Sequence, residues 1–402
     1  MGWSSSRPWQ DDDIAAPPRH LAPPAPSDRR GLALLVLALL ASIGAAGAYL
    51  TYAAENDEPS PGGLVAAGPT TSAGPTGGAS DTTNATTTTT RGELGSGESV
   101  TIAFAGDMNF EGSNRARLDA DPSTALGPFA DVIRDADLAV GNLETALAVG
   151  GTRAAKQFVF RAPPAAVDAL RSAGFDVVSM ANNHGLDYGA EGLFETLVVS
   201  RAQPDRFIIG IGGDEDEAFA PFTTVVKGQR IAVIAATQVL DNSLLSAWTA
   251  TAEQGGLASA KRVDRLVQEV RAARTTSDTV IVFLHWGIEQ DTCPSGDQQN
   301  LARTLTDAGA DLVVGGHAHR LQGGGRLGSA VVHYGLGNFL FKANSTDGAR
   351  SGVFEVTVTG RRVDGYRWIP GRIVNSVPTP LVGDDAAAEL AYWQSLQACA
   401  GL

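Results

Sequence analysis

The chain has 402 residues, of which 43% are hydrophobic and 18% are charged, so it can bury a large core and is not disordered as a whole. Its formal net charge is −14, whereas a protein that grips nucleic-acid phosphates needs a basic face, so no nucleic-acid partner is expected. Two cysteines, Cys293 and Cys399, exclude an all-thiolate zinc site and leave open either one disulfide or two free thiols.

The N-terminal part of the chain predicts a membrane anchor. Residues 1–30 are rich in proline and carry balanced charges, which predicts a disordered cytoplasmic tail. Residues 31–54 contain no charged residue and are long enough to cross a bilayer. Because Arg29 and Arg30 precede this run and acidic residues follow it, the positive-inside rule predicts a single pass in the cytoplasmic membrane, with the C-terminal domain outside the cytoplasm. A cleaved signal peptide is the alternative interpretation.

The composition divides the remainder of the chain into three parts. Residues 55–98 are dominated by Pro, Gly, Ser and Thr without periodicity, which predicts a disordered linker. Residues 99–382 have an ordinary globular composition and form the predicted domain. Residues 383–402 are predicted to form a C-terminal helix.

Apolar runs alternate with amphipathic segments along the predicted domain, a pattern typical of a layered α/β fold. In chain order, the predicted elements are strand Val100–Ala105, strand Leu138–Val140, helix Pro163–Ala173, strand Phe175–Met180, helix Gly189–Val199, strands Phe207–Ile211, Thr223–Val226 and Ile231–Ala236, helix Ser259–Ala273, strand Thr279–Leu284, helix Asp297–Ala308, and strands Leu312–Val314, Ala330–Tyr334 and Val353–Val358.

Polar side chains collect where five of these strands end. They are Asp107 with Asn109, Asn142 with Glu144, Asn182 with Asn183 and His184, His285, and His317 with His319. These loops hold four of the six histidines, and ligands of α/β sheets bind beyond the carboxyl ends of the strands. We therefore expect these side chains to form one site.

The residue types at these strand ends suit divalent metal ions. His317 and His319 place two imidazoles on one tight loop, although such a pair could also be merely exposed or hydrogen-bonded. Asp107 and Glu144 add carboxylates and Asn183 adds an amide oxygen. Two neighbouring ions would need a shared carboxylate and about this many ligands. A nitrogen and oxygen donor set without thiolate suits Mn, Fe, Zn or Co and does not select among them.

Several strings of residues carry a family resemblance. The strings AGDMNF, GNLET, ANNHGLDYG, HWGIEQ, GGHAH and YGLGNFLF occur in this order between Val100 and Phe341. In this order they resemble the poly-gamma-glutamate capsule-synthesis (CapA-like) family, whose domain is similar to calcineurin-like metallophosphatases. The resemblance implies a layered metallophosphatase-like sandwich in which helices flank two central mixed sheets.

The resemblance also implies roles for the polar residues. The implied metal ligands are Asp107 and His319 for the first ion, His285 and His317 for the second, Glu144 as the bridging carboxylate, and Asn183 as a further ligand. His184 would then be catalytic and would protonate the leaving group. Asn109 stands where metallophosphatases have histidine, and Glu144 stands where they have aspartate, so ordinary phosphatase activity does not follow from the resemblance.

Four further residues are predicted either to orient the metal ligands by hydrogen bonds or to bind metal themselves: Asn109, Asn142, Asp187 and Glu289. Asp187 could orient the imidazole of His184, or it could cap the helix that begins near Gly189. Glu289 could support His285 or be a solvated loop charge. Asn338 is expected to form hydrogen bonds within a turn rather than to bind metal.

Two classes of function remain open at this stage. One is an enzyme, namely a metal-dependent hydrolase or transferase that acts on phosphoester or amide bonds outside the cell, whether in capsule synthesis or unrelated to it. The other is a non-catalytic factor for export or assembly of an anionic capsule polymer. Other capsule-synthesis membrane subunits are the partners that the resemblance implies. Because the globular region is itself acidic, an anionic polymer would need a local basic strip or bound metal ions.

Overall fold

The structure is a computed structural model, and it describes residues 92–402. The predicted tail (1–30), the predicted anchor (31–54) and most of the predicted linker (55–98) lie outside the described residues. Within residues 92–402, no helix is both long enough and apolar enough to span a bilayer.

Eight strands form the first sheet. They are β1 Val100–Met108, β2 Leu138–Leu143, β5 Val177–Ser179, β6 Ile208–Ile209, β15 Asn338–Leu340, β16 Arg350–Thr359, β17 Arg362–Val374 and β18 Val377–Pro380. Their order is β18-β17-β16-β1-β2-β5-β6, and β15 also pairs with β1. Strands β1, β2, β5 and β6 run parallel, whereas β16 is antiparallel to β1, so the sheet is mixed.

Six strands form the second sheet. They are β8 Phe222–Val226, β9 Gln229–Thr237, β11 Thr279–Trp286, β12 Leu312–His317, β13 Gly324–Leu327 and β14 Ala330–His333. Their order is β13-β14-β12-β11-β9-β8, with a parallel centre and antiparallel edges. Two short pairs complete the strands: β3 Ala146–Leu147 with β4 Arg161–Ala162, and β7 Ile211–Gly212 with β10 Gly256–Leu257.

Helices pack on the outer faces of the two sheets, except that the helix Gly383–Ser395 contributes Trp393 to the cluster between the sheets. They are α1 Ser113–Ala120, α2 Phe129–Arg134, α3 Ala165–Ser172, α4 Gly189–Arg201, α5 Glu215–Phe219, α6 Leu245–Trp248, α7 Val263–Thr276, α8 Gly296–Ala308, α9 Gly383–Ser395 and α10 Gln397–Ala400, together with a 3₁₀ turn at Pro122–Thr124. Helix α8 has a capping box between Ser295 and Gln298, and it ends at Gly309, whose φ is 118°. These are the start and stop signals of a well-defined helix.

The two sheets pack face to face. One buried apolar cluster draws residues from both of them, including Phe104 and Phe354 of the first sheet and Phe283 and Val314 of the second. Two further clusters lie on the outer faces, one beneath α2, α3 and α4 and the other beneath α7 and α8. The structure therefore confirms the predicted mixed α/β fold of sheets and helices.

Several strands continue further than the sequence predicts. Pairing between parallel neighbours extends to Asp107 with Asn142, and to Trp286 with His317. Four polar residues expected in loops therefore lie at the ends of strands: Asp107, Asn142, His285 and His317. The apolar runs alone could not show this, because the backbone ladder continues past the last apolar side chain.

The predicted strand Phe207–Ile211 is in fact two strands that belong to different sheets. Gly210 separates them with a φ of 84°, a left-handed conformation that glycine adopts without steric cost. Strand β6 joins the first sheet, whereas β7 turns away and pairs with β10. The sequence predicts one strand here because the apolar run continues through Gly210.

Residues just before the predicted domain boundary also contact the domain. The carbonyl of Glu93 accepts a hydrogen bond from the backbone N–H of Arg361. The side chain of Gln229 donates to the carbonyls of Leu94 and Glu98 and accepts from the backbone N–H of Ser96. The described end of the predicted linker is therefore attached to the domain.

One disulfide joins the two cysteines. Cys293, in the loop after β11, is bonded to Cys399 of α10, with a Cα–Cα distance of 5.6 Å and a sequence separation of 106 residues. The bond attaches the C-terminal helices to a loop of the second sheet. The sequence left open either one disulfide or two free thiols, and the structure shows the disulfide.

We predict that this disulfide contributes about 2–5 kcal/mol to the free energy of unfolding, because it closes a long loop in the unfolded chain. Urea unfolding of the full chain, with and without a reductant, measures the effect. The paired substitution Cys293→Ser with Cys399→Ser should lower the midpoint as reduction does and should then be insensitive to the reductant. Equal midpoints for the oxidised and reduced wild-type protein would contradict the prediction.

Candidate metal centre

The predicted site residues meet at the carboxyl ends of strands from both sheets. Asp107 lies near the end of β1, Glu144 directly follows β2, His285 lies in β11, and His317 ends β12. The backbone N–H of Glu144 donates to the carbonyl of Met108 at 2.7 Å and so fixes this turn to β1. The face-to-face packing of the sheets thus brings distant parts of the sequence together.

Asp107, Glu144 and His285 form the core of the cluster. Each is wholly buried, and one potential ligand atom from each lies within 4.8 Å of the other two. Nε2 of His285 is 2.8 Å from Oδ1 of Asn183 and 3.2 Å from Nδ1 of His317. Nδ1 of His319 is 3.3 Å from Oδ2 of Asp107, so all six predicted ligands surround one small volume.

Glu144 is the centre of the cluster and lacks ordinary partners. Its Oε1 is 3.7 Å from Nε2 of His184 and 3.8 Å from Nε2 of both His285 and His319. These separations exceed hydrogen-bonding distance, and neither carboxylate oxygen has a hydrogen-bond partner within the described residues. Atoms that share a metal at about 2.0–2.2 Å lie roughly 3–4 Å apart, so the donor set and its spacing fit a bound cation.

The loop that carries His317 and His319 has an unusual backbone. Both residues have positive φ angles, 95° and 51°, which non-glycine residues seldom adopt. A Cβ atom on Gly316 would lie 2.3 Å from Oδ1 of Asp107, so only glycine fits at this position. The backbone N–H of His317 consequently reaches Oδ2 of Asp107 at 3.1 Å. Strain of this kind is common at functional sites.

The charges of the cluster strongly perturb its protonation. Burial raises the pKa of Glu144 well above its usual value, and the neighbouring charge of Asp107 raises it further. Burial disfavours the charged form of His319, yet the carboxylates of Glu144 and Asp107 prevail and raise its pKa to about 9. In the absence of a cation, the site therefore retains a proton to balance its carboxylates.

Two imidazoles of the cluster are held neutral. Burial and the nearby His317 and His319 lower the pKa of His285 well below its usual value. Burial, followed by the charge of His319, lowers the pKa of His317 to about 3. Neutral imidazoles are the form that binds metal, so both rings are ready to act as ligands at neutral pH.

His184 is paired with Asp187. Nδ1 of His184 is 2.6 Å from Oδ2 of Asp187, and the ring of Phe160 stacks on the imidazole at 4.1 Å. Burial lowers the pKa of His184, and the hydrogen bond to Asp187 opposes this effect. Helix α4 has Tyr188 at its N-cap without a side-chain hydrogen bond, so the alternative in which Asp187 caps this helix does not apply.

Asn142 connects two of the predicted ligands. Its Nδ2 donates to Oδ1 of Asp107 at 2.8 Å and lies 3.2 Å from Nδ1 of His285. Asn182 in turn donates to Oδ1 of Asn142 at 3.1 Å. Hydrogen bonds of this kind orient ligands around a metal, and this role of Asn142 stays a prediction.

The structure places Asn109 and Glu289 less centrally. Oδ1 of Asn109 accepts a hydrogen bond from the backbone N–H of Glu111 at 3.3 Å and so stabilises its own loop. The side chain of Glu289 is exposed, although its negative charge still raises the pKa of His319. The participation of either residue in metal binding remains a prediction.

Two contacts of the site were not found by sequence reasoning. Oδ1 of Asn338 is 2.8 Å from Nδ1 of His319, which gives this residue a role beyond the turn expected for it. Lys156 lies 2.6 Å from Oδ1 of Asp187. The string GLGNF pointed to Asn338, whereas no pattern in the sequence distinguishes Lys156 from other surface cations.

We predict that metal affinity rises with pH, because a cation must displace the proton from His319. Between about pH 6 and 9, the apparent affinity should increase about tenfold per pH unit for one proton released, with a further contribution from Glu144 at the acidic end. Calorimetric titration with Mn²⁺ or Zn²⁺, in buffers of different ionisation enthalpy, measures both affinity and proton release. His319→Gln should flatten the dependence, and a pH-independent wild-type affinity would contradict the account.

Comparisons with known proteins show the family of the chain. Residues 101–343 match the family described as bacterial capsule synthesis protein PGA_cap. The capsule biosynthesis protein CapA of Bacillus anthracis is 32% identical over 217 residues, which are 52% of this chain and 51% of that protein. The PGA biosynthesis protein CapA of Bacillus subtilis is 28% identical over 293 residues, which are 72% of this chain and 76% of that protein.

Among solved structures, a hypothetical protein from Thermus thermophilus aligns with a TM-score of 0.45 and 18% sequence identity, covering 68% of this chain and 99% of that chain.

The chain spans about half the length of the B. anthracis relative and three quarters of the length of the B. subtilis relative. The family match covers more than half of the chain. The protein therefore belongs to the bacterial capsule synthesis (PGA_cap) family, which lies in the metallophosphatase-like superfamily.

Proposed function

We propose that this protein acts in the synthesis of a capsule polymer of the poly-gamma-glutamate type through a site that binds two divalent metal ions. Family membership supports the capsule role. The observation that carries the metal site is Glu144, a buried carboxylate that lacks hydrogen-bond partners within the described residues and lies among three imidazoles. A shared carboxylate of this kind is what a pair of metal ions requires.

We further propose that the domain works outside the cytoplasm, attached to the membrane through residues 31–54. The uncharged run and its preceding arginines support the anchor. The disulfide between Cys293 and Cys399 supports the location, because disulfides persist in oxidising compartments and are rare in the cytoplasm. The membrane, other capsule-synthesis membrane subunits and the anionic polymer are the proposed partners.

The residues that would hold the metal ions are Asp107, Glu144, Asn183, His285, His317 and His319. Bound divalent ions would supply Lewis-acid polarisation and would lower the pKa of a coordinated water. Within the chain itself, Asn142 and Asn338 orient Asp107 and His319 through hydrogen bonds. The identity of the ions is open among Mn, Fe, Zn and Co.

His184 is the proposed proton-transfer residue. Because the carboxylate of Asp187 only accepts hydrogen bonds, it holds the imidazole proton on Nδ1 and leaves Nε2 free. Nε2 is then the atom that takes up a proton and returns it to the leaving group. This His184–Asp187 pair favours acid–base chemistry, so the second candidate function is hydrolysis of phosphodiester or amide bonds, which need not belong to capsule synthesis.

We predict that two sets of histidine substitutions differ in their effect on metal content, although both should abolish capsule yield. His184→Ala should leave metal content nearly intact while turnover falls by about 10²–10⁴-fold, because proton transfer is lost. His317→Ala together with His319→Ala should abolish tight metal binding. Capsule yield and metal content are measured in cells that lack their own copy of the gene, and His20→Ala in the predicted tail serves as the control.

The outcomes separate chemistry from binding. If both sets of substitutions abolish capsule in folded protein, while only the pair at 317 and 319 loses metal, catalysis is supported. If His184→Ala leaves the capsule yield unchanged, the site binds rather than catalyses, and the protein is a factor for polymer export or assembly. If neither set affects capsule yield, the site has no part in capsule synthesis.

A reporter fusion tests the proposed topology. We predict that a reporter placed after Leu402 is active only outside the cytoplasm, because the positive-inside rule orients the anchor. A fusion after Arg30 is the matched control and should report the cytoplasm. Cytoplasmic activity of the fusion at Leu402 would refute the orientation, and a soluble mature protein that begins near residue 49 would indicate a cleaved signal peptide.

A further inference from the structure

A segment without helix or strand, residues 148–160, lies against the His184–Asp187 pair. The backbone N–H of Ala154 donates to the carbonyl of Asp187 at 2.8 Å, and the backbone N–H of Phe160 donates to its Oδ2 at 2.6 Å. The segment therefore contacts both the main chain and the side chain of Asp187. Lys156 lies between these two points of contact.

The ammonium group of Lys156 has three partners in this site. It lies 2.6 Å from Oδ1 of Asp187, donates a hydrogen bond to the carbonyl oxygen of Asn183, and is 5.1 Å from the centre of the Trp248 ring. Its side chain is only 11% exposed, and that of Asp187 is wholly buried. A buried ion pair with an additional hydrogen bond and an aromatic neighbour has a well-defined geometry.

The partners of Lys156 determine how two site residues point. Oδ1 of Asp187 faces Lys156, while Oδ2 accepts from the backbone N–H of Phe160 and from Nδ1 of His184, so Lys156 and Phe160 hold the carboxylate from both sides. Anchoring the carbonyl of Asn183 also fixes the backbone that carries its side chain, whose Oδ1 is 2.8 Å from His285. One ammonium group thus contacts both the proton-transfer pair and a predicted metal ligand.

We propose that Lys156 is a positioning residue, which fixes the imidazole of His184 through Asp187 and the side chain of Asn183 through its carbonyl. The metal-binding part of this proposal rests on the proposed function. The part that concerns His184 rests only on the contacts of Lys156, Asp187 and His184.

A purely electrostatic role of Lys156 and a positioning role predict opposite changes in metal affinity when its charge is removed. A cation close to a metal site repels the metal, so loss of the Lys156 charge should by itself strengthen metal binding. Loss of a group that orients a ligand instead weakens metal binding, typically by about 10–100-fold. The direction of the change therefore distinguishes a positioning role from a simple electrostatic one.

The test compares full-length wild-type protein with Lys156→Met, which keeps the length and the apolar stem but removes the ammonium group. Arg153→Met is the matched control, since Arg153 is an exposed cation on the same segment. Titration with Mn²⁺ should show at least about 10-fold weaker binding for Lys156→Met and no change for Arg153→Met. Lys156→Arg keeps the charge and the donors and should restore most of the affinity.

A second measurement does not depend on metal. Two-bond ¹H–¹⁵N correlation spectra of metal-free protein labelled in histidine report which ring nitrogen of His184 carries the proton, and His184→Gln identifies its signal. The wild type should show the proton on Nδ1. In Lys156→Met the carboxylate of Asp187 loses the partner of its Oδ1 and can turn away from His184, so a mixture of the two tautomers is expected. If the wild type binds no metal, the proposed function fails, and the tautomer comparison still decides the role of Lys156.

Lys156→Gln replaces Lys156→Met if the latter does not fold, and the same results are expected for it.

Two findings would overturn the proposal. One is tighter or unchanged Mn²⁺ binding by the variant that lacks the charge. The other is a His184 tautomer that is the same in the Lys156 variant, in Arg153→Met and in the wild type.

Discussion

The buried carboxylate of Glu144 is the constraint on which the rest of the site depends. It is fully removed from water, carries no hydrogen bond from the residues that the structure describes, and has three imidazole nitrogens at 3.7–3.8 Å. Burying an ionised group without a partner is very unfavourable. A folded chain resolves this conflict with cations, or with protons that Glu144 and His319 retain because their pKa values are raised. The arrangement is therefore one that could hold a metal ion.

The fold holds these groups in place through its backbone. Parallel strands of both sheets end at the same edge, and Gly316 allows the strand that carries His317 to approach Asp107. A second group of contacts, from Asn142, Asn338 and Lys156, orients the side chains that would bind metal or move protons. Rigid strands thus set the coarse geometry, while hydrogen bonds and one ion pair set the fine geometry, which is how preorganised sites are built.

The sequence predicts the parts of this site that follow from periodicity. Asp107, His285 and His317 could be found because apolar runs locate the strands, and the carboxyl ends of parallel strands share one edge. Lys156 could not be found, because it reaches the site from a segment without periodic pattern, and its role depends on the path of the chain in space. The disulfide between Cys293 and Cys399 likewise requires a distance that only the fold supplies. The split of the predicted strand at Gly210 shows that an apolar run does not reveal which sheet it joins.

The central claim is that Glu144 lies beside bound metal, and anomalous diffraction tests it most directly. Crystals of the protein grown with Mn²⁺ or Zn²⁺ would be measured on both sides of the absorption edge of the metal. The account predicts an anomalous peak within bonding distance of a carboxylate oxygen of Glu144, and a second peak about 3.5–4 Å away if two ions bind. Ordered water hydrogen-bonded to Glu144, with no anomalous peak among Asp107, Glu144 and His285, would contradict it.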